Sequence, residues 1–112
     1  MKYFDSTLND GDIKSIHKEY GDYVKITADL KNERIVVGCE LHADGEKILL
    51  DKGGLNDDIW GGGIDFISKK VSTTAVLNIR SRLSNDSMEI LDPKRRNLFI
   101  KLIEDLFKKL WL

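Results

Sequence analysis

Three polar side chains in one short stretch are of the types that carry out acid–base or metal chemistry. Glu40, His42 and Asp44 alternate in the stretch GCELHADGEKILLDKG, which follows the apolar run RIVV. Successive side chains of a strand point to opposite faces of the sheet, so residues two apart share a face. If the strand continues to Asp44, the three polar groups lie together on one side. The same alternation is also typical of a solvated sheet edge.

Four acidic side chains could form a site for a divalent cation. Calcium and magnesium bind several oxygen ligands, which Glu40, Asp44, Asp57 and Asp58 could supply with carbonyl groups of the glycine-rich loop. Their spacing does not match the calcium-loop motif, which has a glycine and a terminal glutamate at fixed positions. We predict a pocket between the sheet and this loop that binds Ca2+ in preference to Mg2+. The alternative is a solvated acidic surface, because exposed acidic residues are ordinary.

A second hypothesis places acid–base or anion-binding chemistry at His42. Histidine titrates near neutral pH, and a neighbouring carboxylate could orient it. Asn78 and Arg80 alternate in the β-rich stretch STTAVLNIR, so they share a face of the predicted strand. Together these three residues could serve a small enzyme or a ligand-binding protein, in which Arg80 holds an anionic substrate by two parallel hydrogen bonds. The alternatives are a hydrogen bond from His42 to the backbone and an ion pair from Arg80 to Glu40 or Asp44.

A third hypothesis is a homodimeric interaction module. The chain ends in LFKKLWL, and Trp111 and Leu112 either cover the domain's own core or form a symmetric dimer contact. The basic stretch PKRRN could contact nucleic-acid phosphates, but a few exposed bases without aromatic residues among them are typical of a solvated surface. The net charge of −1 also argues against nucleic acid as a partner.

Composition indicates one soluble domain spanning residues 1–112. The chain has 41% hydrophobic and 33% charged residues, which suits one core with a charged surface. No apolar run approaches the roughly 20 residues that span a bilayer, and the first residues do not resemble a secretory signal. A lone cysteine, Cys39, is compatible with a reducing compartment. We therefore expect a cytoplasmic protein that does not enter the membrane.

Hydrophobic periodicity predicts an α+β fold. Apolar residues recur at helical spacing near the start, after His42 and from residue 99 onward, where Asp92 and Pro93 give a helix start. Alternation from Val24 to Leu30, followed by a turn and the run IVVGCEL, predicts a first hairpin. The stretches IDFIS and STTAVLNIR predict a second. The expected architecture is a mostly antiparallel sheet of about four strands, with N-terminal, short middle and long C-terminal helices packed on it.

Three consecutive glycines, Gly61 to Gly63, raise the question of a phosphate-binding loop. Such a loop needs a helix that begins directly after the glycines, whereas IDFIS has the pattern of a strand. The other interpretation is a flexible or bulged entrance to that strand.

Several motifs in combination resemble a family of short prokaryotic proteins of unknown function. The pattern consists of a glycine with Glu-Leu-His-Ala-Asp, a Leu-Leu pair, Trp-Gly, Asn-Ile-Arg, and an Asp-Pro that opens the last helix. The matching positions are Gly38, Glu40, Leu41, His42, Ala43, Asp44, Leu49, Leu50, Trp60, Gly61, Asn78, Ile79, Arg80, Asp92 and Pro93. Departures occur at Ile59, at Gly62 and Gly63, and in the stretch SRLSNDS. The resemblance implies a compact α+β domain and brings no established activity.

Overall fold

Three helices and five short strands build the fold in the computed structural model, which describes residues 1–112. Every strand pair is antiparallel, and the strand order across the sheet is β1-β3-β2-β4-β5. No helix is both long enough and apolar enough to cross a bilayer. In chain order the elements are β1 (Lys2–Phe4), α1 (Asp10–Tyr20), β2 (Tyr23–Asp29), β3 (Arg34–Val37), α2 (His42–Asp51), β4 (Ile59–Asp65), β5 (Lys70–Ser72) and α3 (Pro93–Leu106).

Local capping signals account for the residues at which helices α1 and α3 begin. Asn9 caps α1 by accepting a hydrogen bond from the backbone N–H of Asp12, and the Asp12 carboxylate accepts one from the Asn9 backbone in return. Asp92 caps α3 and Pro93 is its first residue, as the sequence predicts. These caps satisfy N–H groups that the helix itself cannot bond.

The two helices α1 and α3 cover one face of the sheet. Their apolar stripes pack on inward-facing residues of β2, β3 and β4, and the resulting core contains the fully buried Trp60, Phe99 and Phe107. The opposite face is covered in part by α2, which buries Leu49 against Val36 and Ile59. The remainder of that second face is where the candidate site lies.

A buried carboxylate closes the hairpin between β2 and β3. Asp29 accepts hydrogen bonds from the backbone of Lys31 and Asn32 and from the Asn32 amide (2.8 Å) and Arg34 guanidinium (3.2 Å). Burial raises the pKa of Asp29, but the bonds from Asn32 and Arg34 outweigh burial, and the pKa lies below its ordinary value. Asp29 is therefore a structural residue of the turn.

The predicted fold class is confirmed, with two corrections in detail. The sheet has a fifth strand, β1, which contributes only three residues and so gives no readable alternation. The stretch STTAVLNIR is not a strand, because Val76–Asn78 forms a 3-10 turn and the second hairpin is β4 with β5. The residues of this stretch favour a strand, but the hydrogen bonds of the Asn78 side chain to the backbone stabilise the turn instead.

The three glycines lie in the close-packed interior strand β4, between β2 and β5, and not in a loop. A Cβ atom at Gly62 would lie 2.1 Å from the Ser72 carbonyl oxygen and 2.8 Å from the Phe99 ring. At Gly63 it would lie 2.3 Å from the Tyr23 hydroxyl. Only glycine therefore lets neighbouring groups approach this strand on both faces.

Candidate functional site

The stretch with Glu40, His42 and Asp44 is not a continuation of the strand. β3 ends at Val37, and Gly38 turns the chain with a φ of +85°. The Tyr20 ring occupies the space that a Cβ at Gly38 would need. Helix α2 then begins at His42, so His42 and Asp44 lie in a first helical turn. The predicted alternation of the three polar side chains on one sheet face is therefore wrong.

His42 lies against the glycine strand and is half-buried. Its Nε2 is 2.8 Å from the Gly62 carbonyl oxygen. Because a carbonyl can only accept, Nε2 carries the proton, and Nδ1 of the neutral ring is left as an acceptor. The ring fits there because Gly61 has no Cβ atom; a Cβ at this position would lie only 2.8 Å from the His42 Cδ2 atom. The hydrogen bond to backbone that the sequence left as an alternative is thus present.

An open groove lies beside His42 on the second face of the sheet. We call it the α2 groove; its volume is about 440 Å³, within the range of small-molecule sites. It runs between the start of α2 and the segment 74–77, and its lining is mostly apolar. Val76 and Leu41 are 72% and 63% exposed at its rim. The lining residues are Tyr23, Lys25, Leu41, His42, Ala43, Thr74, Ala75, Val76, Leu77 and Met88.

Two side chains of β2 stand in the α2 groove in fixed positions. The Lys25 ammonium donates to the Glu40 carbonyl oxygen at 2.6 Å. The Tyr23 hydroxyl is 2.8 Å from the Ser72 hydroxyl and lies over Gly63. Lys25 is the only lysine or arginine in the lining, and no aspartate or glutamate is among the lining residues.

Two backbone donors are unpaired at the start of α2, which lines the same groove. Leu41 occupies the capping position and provides no side-chain acceptor. The backbone N–H groups of His42 and Ala43 donate to no acceptor in the chain. Unbonded N–H groups at a helix start favour negative charge nearby.

The pKa of His42 supplies a testable property of this groove. Burial lowers the pKa, the bond to the Gly62 carbonyl opposes burial, and the charge of Lys25 lowers the pKa further, so that it lies below 6.5. The unfolded chain therefore takes up a proton before the folded chain does. Folding stability falls as the pH drops from neutrality through the unfolded value of about 6.5 toward the folded value.

We expect His42→Gln to remove this part of the pH dependence, because glutamine does not titrate. The measurement is urea unfolding from pH 7 to pH 5. The matched control is His17→Gln at the only other histidine, which is bonded to Asp22 on α1's side of the fold. In the control, the free energy of unfolding should keep the dependence on pH that it loses in His42→Gln. An unchanged slope in His42→Gln would show that burial does not depress this titration.

Asn78 and Arg80 lie outside the α2 groove, and their polar atoms are bonded within the chain. The completely buried Asn78 side chain bonds both backbone groups of Gly61 and the carbonyls of Thr73 and Met88. Arg80 does not follow Asn78 on a common strand face, because Val76–Asn78 is a 3-10 turn. Their role in ligand binding stays a prediction.

The Arg80 guanidinium is largely buried beside Trp60. It donates to the carbonyl oxygens of Asn56 (2.7 Å) and Ile59 (2.5 Å), and it pairs with Glu46 at 3.4 Å. Its Cζ lies 4.6 Å from the centre of the Trp60 ring. The acidic partner is therefore Glu46 and not Glu40 or Asp44.

The four predicted calcium ligands are distributed over different parts of the surface. Asp57 and Asp58 line a cavity of about 290 Å³ at the start of α3, where the Asp57 carboxylate is 2.6 Å from the Arg82 guanidinium. Glu40 lines a groove that adjoins the α2 groove and shares Tyr23 and Lys25 with it, and Asp44 is exposed on α2. No group of three or more His, Cys, Asp or Glu side chains is arranged to hold a metal ion.

Sequence reasoning missed most of the α2 groove. Lys25 and Tyr23 alternate with buried residues in β2, so they have the pattern of an ordinary solvated strand face. The available signal was the placement of exposed apolar residues at Leu41, Val76 and Met88, but these are far apart in the chain. Only the fold brings them around one opening.

Comparison with known proteins identifies a family but no activity. The family model described as "Protein of unknown function (DUF5674)" matches residues 3–106. This range contains all three helices and every residue that lines the α2 groove. No curated protein and no solved structure matches the chain.

Proposed function

We propose, for a chain that belongs to the DUF5674 family of proteins of unknown function, that it binds a small organic molecule with an apolar body in the α2 groove. The observation that supports the proposal is the groove itself. It combines a mostly apolar lining with a few polar groups held in place, Lys25, His42 and Tyr23. Small-molecule sites in proteins share this composition.

The exposed rim favours a ligand over simple surface exposure. Leu41, Val76 and Met88 are large apolar side chains that remain in water although the core is complete without them. Single exposed apolar residues are ordinary, but a contiguous apolar rim around a concave surface is typical of a binding site. A bound apolar molecule would remove these three side chains from water.

We expect N-phenyl-1-naphthylamine, an uncharged probe that fluoresces in apolar surroundings, to bind the wild-type protein. Val76→Asp should weaken binding at least about tenfold, because the ligand would then cover a carboxylate. The matched control is Ile67→Asp. Ile67 is also β-branched and is 69% exposed, but it does not line the groove.

The two variants make the proposal easy to overturn. Both replace an exposed β-branched residue with aspartate, so both should keep the wild-type melting temperature. Equal probe affinity in Val76→Asp, Ile67→Asp and wild type would place the probe elsewhere. A wild-type protein that binds no probe would remove the proposal altogether.

A second candidate is the acid–base role of His42 in a small enzyme. Its support is the fixed orientation of the imidazole, since Nε2–H is bonded to Gly62 and Nδ1 can accept a proton. Once a ligand of the groove is known, His42→Gln should abolish its turnover and leave the affinity of the protein for that ligand nearly unchanged. If the wild type turned over no ligand and His42→Gln only lowered the affinity for it, His42 would have a role in binding alone.

Calcium binding and dimer formation also stay predictions. Asp57 and Asp58 share one cavity with Asp92, but three basic residues, Lys31, Lys94 and Arg95, line it as well. A calcium-dependent rise in melting temperature of chelator-treated protein, lost in Asp58→Asn, would support a cation site there. Sedimentation over a range of concentrations tests the dimer, for which the exposed Trp111 and Leu112 are the candidate contact.

A further inference from the structure

Lys25 is the only lysine or arginine in the lining of the α2 groove, which contains no aspartate or glutamate. From its position we infer that the ligand is a monocarboxylate with an apolar tail, whose carboxylate is held by the Lys25 ammonium. The inference rests on the proposed function and adds the chemical class of the ligand.

The Lys25 ammonium is held in place but keeps free donors. It has three N–H groups, and the contact with the Glu40 carbonyl at 2.6 Å uses one of them. Lys25 forms no ion pair with any carboxylate of the chain. A ligand carboxylate can therefore bind two remaining donors without displacing an internal partner.

The lining of the groove carries one positive charge, from Lys25, which balances one negative charge and not two. No Asp or Glu lines it; Glu40 lines the adjoining groove that shares Tyr23 and Lys25, and the Glu89 carboxylate accepts hydrogen bonds from the hydroxyls of Thr73 and of the lining residue Thr74. Neutral His42 adds a polar contact without adding charge at pH 7. One lysine thus matches a carboxylate, whereas a phosphate monoester would bring an extra negative charge.

The apolar lining indicates that the part of the ligand beyond its carboxylate is a hydrocarbon. Ala43, Leu77 and the exposed Val76 and Met88 also line the groove, and none of these four has a side-chain hydrogen-bond donor. A hydrocarbon tail gains from covering them, and a polar tail would lose its hydration without compensation.

Three compounds with the same eight-carbon tail test the inference. We expect octanoate to bind the wild-type protein about tenfold more tightly than octan-1-ol, and octylamine to bind most weakly. Lys25→Met keeps the length and apolar stem of the side chain, and it should lower octanoate to the affinity of octan-1-ol. The matched control is Lys70→Met, at an exposed lysine of β5 outside the groove, which should keep the preference.

The outcomes separate the two proposals. Equal affinity of wild type for octanoate and octan-1-ol, or a preference that survives Lys25→Met, would overturn the carboxylate inference and leave the groove as a binding site. Failure of all three compounds to bind would overturn both. Titration calorimetry gives the affinities, and an unchanged melting temperature shows that Lys25→Met is folded.

Discussion

Asn78→Ala should lower the free energy of unfolding by about 3 kcal/mol or more, because it leaves several buried backbone groups without partners. The Asn78 amide accepts from the Gly61 N–H at 2.8 Å and donates to the carbonyls of Gly61 and Met88 at 2.9 Å each. A weaker bond to Thr73 measures 3.3 Å. These bonds join β4 to the irregular segment that forms one wall of the α2 groove. Urea unfolding at pH 7 gives the difference.

Two further variants show whether the buried bonds are the cause. Asn32→Ala removes an exposed asparagine that makes one side-chain bond, to Asp29, and should cost only about 1 kcal/mol.

Asn78→Asp places a carboxylate against the three carbonyl oxygens, which should raise its pKa above the ordinary value of about 3.9. Its folded state then binds a proton more tightly than its unfolded state does. Its deficit relative to wild type should therefore shrink from pH 7 to pH 5. A loss below 1 kcal/mol in Asn78→Ala would refute this role.

Gly62→Ala should cost about 3 kcal/mol or more and could prevent folding, because the added methyl group has no space. Its Cβ would lie 2.1 Å from the Ser72 carbonyl oxygen of the paired strand β5. It would also lie 2.8 Å from the completely buried Phe99 ring on α3. Neither group can move without separating the strands or the helix. The yield of folded protein and its urea unfolding are the measurements.

The matched control for this change is Gly11→Ala in α1. The only close neighbour of a Cβ at Gly11 is the Asn9 side-chain oxygen, at 3.2 Å. The gain in helix propensity, about 1 kcal/mol at most, should offset this contact, so stability should change little. If both variants had wild-type stability, the glycine run would not be explained by close packing.

Elements with local signals could be predicted from the sequence. The Asp92-Pro93 pair gives the start of α3, Gly21 follows the end of α1, and the alternation in β2 gives its buried face. Membership of a family of unknown function, predicted from the motif combination, is also confirmed. In each case neighbours in the chain carry the information.

Elements that depend on distant contacts could not be predicted. The start of α2 at His42 has no capping side chain, so its alternating polar residues match a strand equally well. The segment after β5 has β-rich residues, but the Asn78 side chain bonds both backbone groups of Gly61 in β4 and so fixes the segment in another conformation. Asp44 and Asp57 both lie between residues 40 and 65, where acidic residues outnumber basic ones, yet Asp57 pairs with Arg82 and Asp44 lies on α2. Charge clustering in sequence therefore says little about clustering in space.

The α2 groove depends on the glycines of β4 in a way that no single motif reveals. Gly61 makes room for His42, and Gly63 makes room for Tyr23. Both side chains can therefore lie close to the sheet, and the space above them stays open. Substitutions at these glycines would confuse stability with binding, which is why the exposed Val76 and Lys25 are the better positions for functional tests.

The most direct test of ligand binding in the α2 groove is a titration of 15N-labelled protein with octan-1-ol, followed by 1H–15N correlation spectra. The neutral compound tests the groove without relying on the charge of Lys25. We expect saturable shifts for the backbone amides of residues 41–43 and 74–77, and for Lys25 and Met88. Shifts confined to the cavity beside Trp60 and Arg95, or no saturable shifts at all, would contradict the account.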